Sequence, residues 1–272
     1  MGRGIGQVFA QGGYSVTQVD VNKDALALAK DSIHDSLSKL EKKGLLRETP
    51  ETIFKRISFS TELDSISDSD IGIEAVFERL DVKSETLKKI SAVVREDAII
   101  GSNTSSISIN LLSSSVRNPE RFMGIHFFNP VPVMKLVELV SSENTSGTLL
   151  KKVSELLVSI GKDPVQVKDF PGFVSNRVLM PFIREAILTL EESVASASDI
   201  DKTFRLGMNH PMGPLELADF IGLDVCQDIM EVLYNNYGDP RFKPPVTLRN
   251  LVNSKKLGRK SGEGFYKYGD KK

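Results

Sequence analysis

The chain has 272 residues, 40% of them apolar and 26% charged, as in globular proteins of one large or two ordinary domains. Its 35 basic and 36 acidic residues nearly cancel, which excludes a general nucleic-acid binder but leaves room for a local basic patch facing a phosphorylated small molecule. No apolar run reaches the ~18 residues of a membrane span, no signal-peptide pattern opens the chain, and the single Cys226 cannot form an internal disulfide. These features predict a cytoplasmic protein, or a matrix or peroxisomal one in a eukaryote, with neither nucleic acid nor membrane as partner.

Residues 4–13 read as a helix stopped by Gly12-Gly13. Tyr14–Asp20 alternates and is β-branched, so it reads as a strand ending in an acid. Asn22-Lys23-Asp24 opens a long helix over 23–43. This is half of a dinucleotide-binding βαβ unit, and Asp20 stands where an acid holds ribose hydroxyls. The other half, a strand leading into G-x-G-x-x-G, is absent. Met1-Gly2 fits only the last two residues of that fingerprint, which makes Gly2 a candidate cofactor contact. The expectation is a chain short by about a dozen residues, a strand plus a turn, or a misplaced start. The remaining glycines of this helix are expected to let it pack closely on a sheet.

Helix 23–43 carries Lys39, Lys42 and Lys43 on one face, which by spacing alone reads as a solvated basic face. A short strand at 57–60 follows, then a polar connector over 64–70. A strand over Ile71–Glu78 leads to an amphipathic helix over Asp81–Val94 and a strand over Ala98–Ser102. Asn103-Thr-Ser-Ser106 then clusters small hydrogen-bonding groups at a strand's C-terminal end, where open α/β sheets bind ligands.

In residues 121–140 an apolar run ends at His126, then Asn129, Pro130 and Pro132 forbid a continuous helix. A second apolar run carries Glu138. Strand, loop, strand is the expected shape, with Glu138 returning beside His126. An imidazole held by a carboxylate has a fixed tautomer and suits a general base. His34 sits among Asp31 and Asp35, and His210 precedes Pro211, so neither competes for that role. After residue 168 the pattern is helices alone, at 174–196, 198–207, 214–236 and 244–254. The fold class expected is α/β, an N-terminally incomplete Rossmann-type doubly wound sheet over 1–167, followed by an all-helical domain over 168–272. No His/Cys cluster has metal-ligand spacing, so no metal is expected.

Four blocks closely resemble the 3-hydroxyacyl-CoA dehydrogenase family: Ser102–Ser106, His126–Glu138, Asp169–Arg177 and Asn209–Asp219, together with the tail Leu257–Tyr266. The likeness is greatest to its short, one-chain bacterial-type members and spans essentially the whole chain. It implies oxidation of (S)-3-hydroxyacyl-CoA, expected to be 3-hydroxybutyryl-CoA, to 3-oxoacyl-CoA with NAD, or the reverse. It implies His126 as base and Glu138 as its orienting carboxylate, with Ser105 and Asn176 on the substrate's oxygens. Asn129 joins the same pocket. Asp20 is implied at the adenosine ribose and Glu78, Lys83 and Asn103 at further NAD contacts. Ser36 and Lys43 are implied to meet CoA, and the helical domain to form a homodimer. The competing reading is a catalytically impaired relative that only dimerises.

Overall fold

A computed structural model describes residues 1–269. Contacts divide it into two units, Met1–Phe170 and Pro171–Lys272, a border three residues beyond the expected 167/168.

The first unit is α/β. Helix α1 (Gly2–Gln11) is followed by β1 (Val16–Val19), α2 (Lys23–Lys42), α3 (Pro50–Phe54) and β2 (Ile57–Ser60). Then come β3 (Ile71–Glu74), α4 (Leu80–Val93), β4 (Ile99–Ser102), α5 (Ile109–Ser113), β5 (Phe122–Phe127), β6 (Leu136–Ser141), α6 (Gly147–Ser159) and β7 (Asp163–Lys168). β1 and β2 form a parallel pair, and the other five strands form a sheet in sequence order. All its pairings are parallel except β5 with β6. Crossover helices put apolar side chains on both faces of such a sheet. All six residues of β5 are accordingly buried. Ile5, Val8 and Phe9 of α1 and Leu149, Val153 and Leu157 of α6 close the core over Met123, Ile125, Val137 and Leu139. Each such side chain stabilises by roughly 1.5–3 kcal/mol when fully buried.

The close approach expected of α1 is present at Gly6. A Cβ there would lie 1.9 Å from Gln18 Nε2 of β1. Gln18 Nε2 in turn donates to Gly2 O at 3.1 Å. One strand is shorter than expected. β3 ends at Glu74, not at Glu78, because the Glu74 carboxylate accepts Val76 N at 2.7 Å and turns the chain out of the ladder. Glu78 therefore stands in the loop before α4.

The second unit holds helices α7 (Ser175–Glu191), α8 (Ala197–Gly207), α9 (Pro214–Ile221), α10 (Leu223–Tyr237) and α11 (Val246–Asn253). α7 stops before the expected residue 196 because Ser193 adopts a left-handed φ of 57°. Two buried acids organise this unit. Asp201 accepts Leu215 N at 2.8 Å and Glu216 N at 2.9 Å, so a carboxylate caps the first turn of α9. Asp219 accepts Phe265 N, Tyr266 N and the Tyr268 hydroxyl at 2.9–3.0 Å, pinning the tail. Gly264 is required there, since a Cβ would fall 2.0 Å from Asp219 Oδ1. No helix among the described residues is long and apolar enough to cross a membrane.

Candidate active site

Antiparallel pairing of β5 with β6 sets His126 directly opposite Glu138. Directly opposed residues project from the same face, so the side chains meet. His126 Nδ1 lies 2.8 Å from Glu138 Oε2, with His126 8% and Glu138 2% exposed. A carboxylate on Nδ1 selects the tautomer with its proton there. The Phe128 ring packs 4.7 Å from the imidazole, centroid to centroid. Asn103, at the end of β4, accepts Phe127 N at 2.9 Å and ties that end to the strand bearing His126.

A second cluster lies at the C-terminal end of β3 and β4. Glu78 Oε1 accepts the Thr104 hydroxyl at 2.6 Å, Ser105 N at 2.8 Å and Ser106 N at 3.0 Å. The Ser105 and Ser106 hydroxyls reach the same oxygen at 3.2 and 3.1 Å. Burial pushes the Glu78 carboxyl up, but the Thr104 hydroxyl, the Lys83 charge and the Ser105 amide outweigh it and hold it below the usual carboxylate range. Lys83 is 1% exposed and reaches Glu78 Oε2 at 3.3 Å and Glu74 Oε1 at 2.8 Å. Its ammonium is thus held between two carboxylates. Glu74 also accepts the Ser102 hydroxyl at 2.6 Å.

The remaining candidates fall into separate places. Asp20 is exposed just past β1, where its Oδ1 accepts Asn22 N at 2.9 Å beside the Asn22 cap of α2. Gly2 begins α1, and a Cβ on it would come 3.8 Å from Ala75, just past β3. Ser36 and Asn129 line one cavity of about 210 Å³. Ser36, Lys39 and Lys43 line another of about 430 Å³. Asn176 lies in the first turn of α7, 9% exposed, its backbone N–H donating to Gly172 O at 3.0 Å.

This donor set fits a dinucleotide. A helix N-terminus favours a pyrophosphate, and α1 begins beside the C-terminal ends of the parallel strands. An exposed acid follows β1, and carboxylate, amide and hydroxyl groups follow β3 and β4. No group of three or more His, Cys, Asp or Glu suited to a metal ion occurs among the described residues.

The family model for the NAD-binding domain of 3-hydroxyacyl-CoA dehydrogenase matches residues 1–170, and that for its C-terminal domain matches residues 172–268. The chain belongs to the 3-hydroxyacyl-CoA dehydrogenase family. It is an NAD-dependent oxidoreductase of that family. A Deinococcus radiodurans protein named "Probable 3-hydroxybutyryl-CoA dehydrogenase" is 48% identical over 98% of this chain and 96% of its own. The mitochondrial hydroxyacyl-coenzyme A dehydrogenase of Sus scrofa is 42% identical over 98% of this chain and 88% of its own. The crystal structure of (S)-3-hydroxybutyryl-CoA dehydrogenase from Ralstonia eutropha superposes with a TM-score of 0.95, at 45% identity, over 99% of this chain and 96% of that one. A non-catalytic, merely dimerising relative is not favoured by this company.

Two residues of the hydrogen-bonded cluster around Lys83 and Glu78 are not singled out individually by the sequence. Glu74 carried a signal, an acid inside the apolar run Ile71–Val76. Thr104 carried none beyond its neighbours, since its use depends on Glu78 arriving from another loop.

Proposed function

We propose that this chain interconverts (S)-3-hydroxybutyryl-CoA and acetoacetyl-CoA, with His126 as the base. The observation that carries the reading is the buried 2.8 Å contact of His126 Nδ1 with Glu138. In the oxidation, His126 Nε2 takes the proton of the 3-hydroxyl while carbon 3 loses hydride. Bound NAD is the hydride acceptor. Glu138 stabilises the imidazolium and keeps the ring oriented, worth together with the base roughly 10²- to 10⁴-fold. Ser105 is assigned to the substrate oxygen, and Glu78 orders its loop. Asn176 keeps the role its motif implies, a hydrogen bond to the forming carbonyl. Asp20 is assigned to the adenosine ribose, Gly2 to the pyrophosphate, and Glu78, Asn103 and, through Glu78, Lys83 to the nicotinamide half. Ser36 and Lys43, with Asn129 closing one end, are assigned to CoA. A cytoplasmic setting suits the unpaired Cys226. A homodimer is assigned to the helical unit, which exposes Leu206, Met208, Phe220 and Val225.

The test is a spectrophotometric assay of the purified chain with acetoacetyl-CoA and NADH. Oxidation of NADH that depends on the thioester is expected. Turnover of an unrelated 3-oxo acid in preference to the thioester would overturn the reading.

A further inference from the structure

We propose that Lys162 is a positioning residue for substrate: it holds the turn that walls the CoA cleft and so sets affinity for the CoA portion without touching the chemistry. This rests on the assignment of Ser36 and Lys43 to CoA.

Lys162 lies between α6 and β7, after Gly161, and is only 6% exposed. β6 and β7 pair from Leu136 opposite Asp163, so the Lys162 ammonium lies beside the turn between β5 and β6. Lys162 Nζ donates to Val131 O at 2.5 Å and to Met134 O at 2.8 Å. A buried cation survives only with good acceptors, and two carbonyls aimed at one point act like the negative end of a helix. Burial alone holds the Lys162 amine below its ordinary value.

The turn has a clear inside and outside. Inside, Val131 is 2% exposed and belongs to the main core. It also packs on α1, where a Cβ on Gly4 would approach Val131 Cβ to 3.0 Å. Outside, Pro130 and Pro132 line both cavities, and Val133 lines the larger one opposite Ser36, Lys39 and Lys43 of the α2 side. Val133 N and Met134 N both donate to Pro130 O, so the turn is a single loop around one carbonyl. Lys162 fastens that loop from below. Loss of its ammonium leaves the two carbonyls without their donor and frees one wall of the cleft, while His126 and Glu138 stay in their strands.

The experiment compares K162M, K162R and K43M with the unmodified chain, using acetoacetyl-CoA and acetoacetyl-N-acetylcysteamine, the thioester stripped of the nucleotide. K162M is expected to raise KM for acetoacetyl-CoA about tenfold with kcat and the NADH KM within about twofold, as for loss of uniform binding. The stripped thioester should show no difference, and K162R should recover most of the loss. Hydrogen exchange of the unliganded proteins should show faster exchange at Val133 and Met134 in K162M, with β5 unchanged. K162Q stands in should K162M not purify folded. An unchanged KM in K162M, an equal defect on the stripped thioester, or unchanged exchange in the turn overturns the proposal. Should K43M leave the acetoacetyl-CoA KM untouched, it is the CoA assignment that fails, and exchange still decides whether Lys162 holds the turn.

Discussion

Glu138 Oε2 sits 2.8 Å from His126 Nδ1, across one rung of the antiparallel ladder between β5 and β6. The rung fixes the ring before any substrate arrives. H126Q should therefore lower turnover at least about 10²-fold while far-UV circular dichroism and thermal midpoint stay near those of the unmodified chain. E138Q keeps shape and hydrogen bonding but loses the charge that stabilises an imidazolium, and a smaller fall in turnover is expected. Turnover of H126Q like that of the unmodified protein would remove the imidazole from the reaction.

Asp20 stands exposed past β1, beside the start of α2. A carboxylate there accepts ribose hydroxyls and repels a 2′-phosphate. NADH should be preferred to NADPH by at least about 10² in kcat/KM, close to 3 kcal/mol at 1.4 kcal/mol per tenfold. Asp20→Ala should narrow that ratio by raising the NADH KM. Equal rates with both cofactors would count against the role.

Glu78 predicts a pH effect of known sign. Its folded carboxyl sits below its ordinary value, against the opposing push of burial, because Thr104, Lys83 and Ser105 favour the anion. Its contribution to stability is thus present above about pH 4.3, the unfolded value. It is lost as pH falls through the lower folded value. Urea midpoints recorded from pH 7 to pH 3 should fall less steeply at the acid end in Glu78→Gln than in the unmodified chain. Parallel curves would show that the carboxylate contributes nothing to acid sensitivity.

Cys226 is fully buried in α10, and burial, reinforced by Asp224 and Asp219, pushes its thiol up to about 12. The thiolate is the reactive form. A thiol reagent at pH 8 should leave the folded protein unmodified and label one equivalent in urea. Rapid labelling of the native protein would show that this helix opens.

Much of the fold and the centre of the site could be read along the chain, for local reasons. Two apolar runs separated by Asn129, Pro130 and Pro132 in residues 121–140 exclude a continuous helix and point to a strand, a loop and a returning strand, the arrangement that sets His126 opposite Glu138. The change from alternating elements to helices alone separated the two units in the same way. The close fit of α1 on β1 followed from its glycines, because only a residue without a Cβ permits it.

Other features were settled by the folded molecule alone. The end of β3 at Glu74 depends on a side chain capturing Val76 N, and an apolar run does not encode that choice. Lys83 turned inward because Glu74 and Glu78 were both within its reach. Lys162 met carbonyls 28 and 31 residues earlier in the chain. Residue type shows that a charge exists, and periodicity shows which face of an element is apolar. The partner of a buried charge comes from another element, at a distance in sequence that no spacing rule specifies, and only packing selects it.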